Sequence, residues 1–449
     1  MKTNNTHELA ARILLETAAK NSYNNLALKH ALSENAGLTK SAKAAVTDIV
    51  NGALRNLIYI DLCIQAVSSV PPDKLKPFVL SVLRAGAYEI LFTQTPPRAA
   101  CNEAVNTVKN SPFKNLAGFV NAVLRNIARR KGDPAFPGLP DAQADPTGRI
   151  CAEYSCPRWL AEYWLSEFDI DTVRAVCAGG LKPPRVTVCV NALKTDKPAL
   201  ARELRAAGVA AEENTRLADS LYISGTSDLS ALPAFKNGLF HVMDESAMLA
   251  VRLAGPAEGE TLLDVCAAPG GKSFYAAYLT GGGRVRAFDI HEHKIRLMAQ
   301  SAERLGLPDS RPRIKDARVF DAELENAADC LILDAPCSGF GLLRKKPDIK
   351  YNKTMRDVEE LAAIQRGMLA NCHKYVKPGG RLLYSTCTIS ARENADNMRW
   401  FAANFPFIET EYDENELRAF DCRKMGMGAQ ILPGPDADGF YICCLKRMK

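Results

Sequence analysis

Two cysteines in this chain sit where a thiol can act. Asp334-Ala335-Pro336-Cys337-Ser338-Gly339-Phe340-Gly341 and Tyr384-Ser385-Thr386-Cys387-Thr388 each end an apolar run that reads as a strand, and each presents its sulfur just past the strand end. A carboxylate closing a strand of an open α/β sheet lies at the carboxyl edge, where such sheets bind ligands, and this singles out Asp334. Cys337 follows a proline that stiffens its approach. Taken singly, Asp-Ala-Pro-Cys could be an ordinary turn and Cys387 an ordinary core cysteine. What raises them is the match between two strand ends, each carrying a thiol just past it. An unperturbed thiol is only a few per cent ionised at neutral pH, so a nucleophilic Cys387 requires neighbouring donors or cations.

A third segment lies upstream, Leu263-Asp264-Val265-Cys266-Ala267-Ala268-Pro269-Gly270-Gly271-Lys272. A strand runs into a Pro-Gly-Gly turn and a helix starts near Lys272. The glycines let a ligand approach the backbone, and the helix start offers free N–H groups. The spacing is not G-x-G-x-x-G, which argues against a dinucleotide. Asp289 closes the next strand, 25 residues after Asp264 (289 − 264), where a carboxylate can accept hydrogen bonds from a ribose diol. An adenosine-type ligand fits both features. Beyond Gly341, the cations Arg344, Lys345 and Lys346, extended by Lys350 and Lys353, could meet phosphates or simply form a solvated loop.

A thiol beside a cofactor pocket answers a particular chemical need. Nitrogen and oxygen accept a methyl group directly, but carbon 5 of a pyrimidine does not. A thiolate that adds at carbon 6 makes carbon 5 enamine-like and able to attack a sulfonium methyl. A base must then remove the carbon 5 proton so that the thiol can leave. Two cysteines and an acid cover these steps.

The elements that must position these groups fall into three parts. The first ~130 residues read as helix, with Val46, Ile49, Val50, Ala53, Leu54 and Leu57 at 3-and-4 spacing, and similar faces along 79–91 and 116–127. Pro71-Pro72 and Pro96-Pro97 punctuate them, and a helical bundle follows. The stretch 131–140 is a linker by composition. A small α+β module then spans 145–235, with a strand at Val186–Val190, a helix over about 198–207 and an apolar run at Leu221–Ile223. From 236 to 449, strands at 261–265, 284–289, 330–334, 381–385 and 440–445 alternate with helices at 272–279, 292–305, 355–376 and 391–404, a doubly wound Rossmann-like α/β sheet.

Composition narrows the class. The 47% hydrophobic and 24% charged fractions over 449 residues are those of an ordinary globular protein of two or three domains. No apolar run approaches the ~20 residues of a membrane span, and the N-terminal Met1-Lys2-Thr3-Asn4-Asn5 is not the start of a signal peptide, so a cytoplasmic protein without membrane attachment is expected. The fourteen cysteines are dispersed, no C-x-x-C exists and there are six histidines, so reduced core thiols and no metal are expected. Residues 1–131 carry 17 Lys/Arg against 8 Asp/Glu, or +9, leaving −3 of the net +6 for the remainder (6 − 9). That basic appendage suits a polyanionic partner.

At these residues the chain resembles the RNA 5-methylcytosine methyltransferases. Among them it resembles the bacterial 16S ribosomal RNA enzymes that carry a NusB-like RNA-binding domain. The likeness covers nearly the whole chain. Leu83-Arg84-Ala85-Gly86-Ala87-Tyr88, Asn102-Glu103-Ala104-Val105 and Val120-Asn121-Ala122-Val123-Leu124-Arg125 carry it in the first 132 residues. The resemblance implies Cys387 as nucleophile, Cys337 as the group that promotes product release, and Asp334 at the cytosine and bordering the cofactor. It implies S-adenosylmethionine bound by Cys266, Ala267, Ala268, Pro269, Gly270, Gly271, Lys272, Asp289, Asp316 and Asp334. RNA, above all 16S ribosomal RNA, would be the partner, and the protein a monomer. The chain departs from the family pattern at Phe340, where Thr is usual, at Cys189, where Arg is usual, and at Cys156, where His is usual. The rivals are a transfer-RNA 5-methylcytosine enzyme, which the basic bundle disfavours, and an RNA-binding assembly factor with an idle catalytic domain, which the retained cysteines disfavour. A nicotinamide dehydrogenase stands further off, for want of G-x-G-x-x-G.

Overall fold

The computed structural model describes Thr3 and residues 5–20, 24–226, 228–307, 310, 312–434 and 437–449; Met1, Lys2 and Asn4 of the polar N-terminal stretch lie outside the described residues. The chain divides into two compact units, Met1–Lys182 with Leu343–Asn352, and Pro183–Leu342 with Lys353–Lys449.

The first unit is helical. Thr6–Lys20, Asn24–Glu34, Lys40–Arg55, Leu57–Val67, Pro77–Phe92, Pro97–Lys109 and Ala117–Arg130 bury the apolar stripes that their spacing predicts. Val46, Ile49, Val50 and Ala53 meet Val79, Val82, Leu83 and Ile90 in one core with Val120, Val123, Leu124 and Ile127. Pro77 and Pro97 each open a helix, where a missing N–H costs nothing. Helices Pro146–Tyr154, Arg158–Glu167 and Ile170–Gly180 complete this unit.

Leu343–Asn352 corrects the reading of the cationic loop as one patch for phosphates. Arg344 and Lys350 are 2% and 5% exposed. The Lys350 ammonium donates to the carbonyls of Arg55 (3.0 Å) and Tyr154 (3.5 Å), the Arg55 guanidinium donates to the Arg344 carbonyl (2.9 Å), and the Asn24 N–H donates to the Asp348 carboxylate (3.0 Å). Lys350 satisfies carbonyls that the ends of two helices leave without partners, which is why its ammonium goes inside. Burial draws the Lys350 ammonium down to about 8.

The second unit begins with a four-stranded antiparallel sheet. Its order is Ala210–Glu213, Ser220–Ser224, Val186–Val190, Phe240–Val242, and the first and last of these escape the sequence pattern because they are short. The larger sheet runs Arg284–Asp289, Thr261–Asp264, Ala328–Asp334, Val376–Thr386, all parallel, and then Phe440–Arg447, antiparallel. Gly271–Leu279, Glu292–Leu305, Met355–Cys372 and Ala395–Asn404 are the intervening helices. The last starts at Ala395 rather than 391 because the side chains of Thr388 and Asn394 bond to nearby backbone and side-chain groups, offering an alternative to the helical ladder. Cys156, Cys189 and Phe340, the departures from the family pattern, are at most 2% exposed and act as packing residues.

Gly52 shows how closely the helical core is fitted, since a Cβ there would lie 2.0 Å from the Tyr88 ring, whereas one at Gly118 meets nothing within 4 Å. Gly52→Ala should therefore cost about 1–3 kcal/mol and Gly118→Ala should stay within about 1 kcal/mol of the parent or gain. Urea denaturation of the two variants checks this, and equal midpoints would contradict the packing.

Candidate active site

Parallel pairing of Ala328–Asp334 with Val376–Thr386 sets Asp334 opposite Ser385. The two strand ends, and the two thiols beyond them, therefore leave the sheet side by side. The sulfurs of Cys337 and Cys387 lie 3.1 Å apart, with either able to donate. Both are partly exposed, whereas nine of the fourteen cysteines are buried. The Cys387 thiol and burial push the Cys337 thiol well above its ordinary range.

Backbone contacts hold the two loops together. The Ala335 N–H donates to the Ser385 carbonyl (2.9 Å), the Gly341 N–H to the Cys387 carbonyl (2.9 Å), and the Gly439 N–H to the Gly341 carbonyl (2.9 Å). Gly341 must lack a side chain, since a Cβ would sit 1.9 Å from the Gly439 oxygen.

Asp334 uses both carboxylate oxygens. Oδ1 accepts from the Ser385 hydroxyl (2.7 Å), and Oδ2 pairs with the Lys272 ammonium (2.7 Å), which also lies 5.0 Å from the Phe440 ring centre. Behind this pair is a cavity of about 190 Å³ lined by Asp264, Cys266, Ala267, Ala268, Pro269, Gly271, Lys272 and Asp334, together with Val242, Met243, Asp244 and Ala247. Gly270 is not in that lining but shapes its turn at φ 107°. Asp289 lies at the next strand end and accepts from the Ala268 N–H (3.3 Å) and the His291 N–H (3.0 Å), which ties it to the same turn. Asp316 stands past the neighbouring Arg313–Ile314 strand with its carboxylate held by Arg318 (2.7 Å), outside the cavity lining. The Arg318 side chain holds Asp316 below the usual carboxylate range.

Asp264 is fully buried. Its Oδ2 accepts from the Ser273 hydroxyl (2.6 Å), while Oδ1 lacks a hydrogen-bond partner of good geometry, although the Cys266 N–H still draws on the carboxylate. Burial pushes Asp264 up to about 7.

Two groups of site residues escape sequence reasoning. Met243 and Asp244 reach the cavity from the start of the Glu245–Ala254 helix, and only the Asp-x-Ser cap before an apolar run marks that place. Glu393 lies where the sequence pattern reads only the start of a helix over 391–404, yet it is 0% exposed and accepts from the Ser338 N–H (2.8 Å) and hydroxyl (2.5 Å). Among the described residues no cluster of His, Cys, Asp or Glu could hold a metal.

Comparison with known proteins assigns the family. The chain is 36% identical, over its full length and that of the relative, to the probable ribosomal RNA small subunit methyltransferase B of Bacillus subtilis. It is 32% identical to the ribosomal RNA small subunit methyltransferase B of Vibrio cholerae, over 90% of this chain and 89% of that one. The chain belongs to the ribosomal RNA small subunit methyltransferase B family. It is an RNA methyltransferase. Residues 251–446 match the 16S rRNA methyltransferase RsmB/F model, 4–129 the NusB family, and 156–230 the ferredoxin-like domain of RsmF/B-like methyltransferases. The fold is that of the crystal structure of PH0851, with a TM-score of 0.80, 25% identity, and coverage of 100% of this chain and 99% of that one. A methyltransferase homologue from Pyrococcus horikoshii shares it over 67% of this chain and 98% of that one, with a TM-score of 0.56 and 23% identity. The NusB-like helical region, the ferredoxin-like module and the methyltransferase sheet are thus the three parts that the sequence implies.

Because Gly341 joins both cysteine loops, Gly341→Ala should lower methyl transfer to RNA by roughly 100-fold through displacement of the thiols. Single-turnover rates, read beside a urea denaturation curve, check it; an unchanged rate in a folded variant would remove the loop contact from the account.

Proposed function

We propose that this protein methylates carbon 5 of a cytosine in 16S ribosomal RNA, in the cytoplasm, through a covalent cysteine–cytosine adduct. The observation that carries this reading is the pair of sulfurs 3.1 Å apart at the edge of a cavity bordered by Asp334. A methyltransferase acting on nitrogen or oxygen has no use for such a pair.

S-adenosylmethionine, when bound, supplies an electrophilic methyl on a sulfonium. The residues present fit it: Asp264 keeps a buried carboxylate oxygen without a well-placed partner, the turn from Cys266 to Lys272 lies open to a ligand, and Asp289 stands at the adjacent strand end. The Cys387 sulfur, as thiolate, adds to carbon 6 of the cytosine, and the carbon 5–carbon 6 electron pair becomes available at carbon 5 for the methyl group. Asp334, held by Lys272 and Ser385, meets the cytosine ring. Cys337 then accepts the carbon 5 proton. The double bond re-forms and the sulfur–carbon 6 bond breaks, returning its electron pair to Cys387. The Cys387 thiol and burial raise the proton affinity of Cys337, so it rests as a thiol; its own proton must pass to solvent at the site mouth before the thiolate can take the one from carbon 5. The basic helical bundle, related to the NusB family, would hold structured RNA by phosphates and shape, and the target base must leave its stack to reach Cys387.

Incubation with methyl-labelled S-adenosylmethionine and separate samples of 16S ribosomal RNA and transfer RNA should place 5-methylcytosine in the 16S sample alone. Cys387→Ala should abolish label and adduct, and Cys337→Ala should trap a denaturant-resistant protein–RNA adduct that requires Cys387. Label confined to transfer RNA would overturn the substrate, and a fully active Cys387→Ala would overturn the mechanism.

A further expectation concerns pH. Asp264, raised to about 7, is protonated in the free protein below that value, whereas a cationic cofactor favours its ionised form. Affinity for S-adenosylmethionine should rise between about pH 6 and 8 and binding near pH 7 should release a proton; Asp264→Asn should flatten the dependence. Calorimetry in buffers of different ionisation enthalpy reads the proton, and a pH-independent affinity in the parent would contradict the assignment.

A further inference from the structure

We infer that Glu393 is a positioning residue that sets the Cys337 sulfur against the adduct. Its carboxylate is buried without a cation among its hydrogen-bond partners, in a place that stability alone does not call for. One oxygen, Oε1, accepts from the Ser338 N–H (2.8 Å) and from the Gln365 amide (3.1 Å); the other accepts from the Ser338 hydroxyl (2.5 Å). Gln365 also donates to the Pro336 carbonyl (2.9 Å), so the residues on both sides of Cys337 are held from one point. Ser338 then reaches the second loop, its hydroxyl 2.8 Å from that of Thr388, the residue after Cys387. The Tyr384 hydroxyl donates to the Glu393 carbonyl (2.6 Å) and fixes the anchor to the strand that delivers Cys387.

The carboxylate is therefore the common fastening of the two thiol loops, and its reach is unequal. It grips the residue next to Cys337 by two direct hydrogen bonds, whereas it meets the Cys387 side through Thr388 and, three residues past the sulfur, at the Ser390 side chain. Loss of Glu393 should leave attack by Cys387 nearer to normal than proton removal by Cys337. Glutamine can keep the Oε1 contacts and donate its amide to the Ser338 hydroxyl, which then donates onward to Thr388. Alanine keeps neither.

The inference rests on the cysteine roles proposed above, so Cys337→Ala is measured in parallel. Glu393→Ala should lower kcat for methylation by roughly 10–100-fold, with KM for RNA changed by less than about threefold, and should accumulate the denaturant-resistant adduct during turnover. Glu393→Gln should recover most of the rate and lose the adduct. Ser338→Ala removes only the hydroxyl link and should show a weaker form of the same adduct; it decides the matter if Glu393→Ala does not fold. If Cys337→Ala traps no adduct, the cysteine assignment fails and this inference fails with it. If Cys337→Ala traps adduct while folded Glu393→Ala, or Ser338→Ala in its place, turns over without any, the cysteine assignment stands and the role of Glu393 is overturned.

Discussion

One pairing governs the chemistry of this protein. Because Ala328–Asp334 and Val376–Thr386 are adjacent and parallel, residues far apart in sequence leave the sheet at the same edge. Parallel strands joined through a helix place both carboxyl ends on one side. The Thr261–Asp264 strand, on the other flank of Ala328–Asp334, adds its turn to the same edge. The cavity, the Asp334–Lys272 pair and the two sulfurs all follow from this order of strands.

The edge alone does not bring two sulfurs within contact distance. Strand ends fray unless something ties them, and here the ties are backbone hydrogen bonds through Gly341 and a buried polar set around Glu393. Buried polar sets fix one arrangement because each member left unpaired costs free energy. The resulting rigidity suits the proposed reaction, in which one sulfur must leave carbon 6 as the other group takes a proton from carbon 5.

Much of this is visible in the sequence, for identifiable reasons. The strands ending at Asp289 and Asp334 read clearly because their apolar runs are closed by a charge, the strand read over 261–265 ends one residue earlier at Asp264, and the Glu292–Leu305 helix reads to the residue because its amphipathic period is unbroken and a glycine follows. Cysteines 337 and 387 stand out by their setting. What stays hidden is long-range burial of polar residues. Nothing local distinguishes Glu393 in Ala391-Arg392-Glu393-Asn394 from a solvated carboxylate, and Arg344 and Lys350 resemble a phosphate-binding patch until their burial is known. Short edge strands such as Ala210–Glu213 exist only through their neighbours and have no period of their own.

The Leu343–Asn352 segment has a consequence for the architecture as a whole. The chain leaves the cysteine-bearing loop at Leu342, gives its next turn to the helical unit, and resumes the methyltransferase fold at Lys353. The parts are therefore not beads on a string. A fragment cut to begin at Pro183 would still carry Ile349, Lys350 and Asp348, with the groups that bury them removed. Exchange of the helical unit would leave Asp348 and Lys350 without the Asn24 N–H and the Arg55 and Tyr154 carbonyls that hold them.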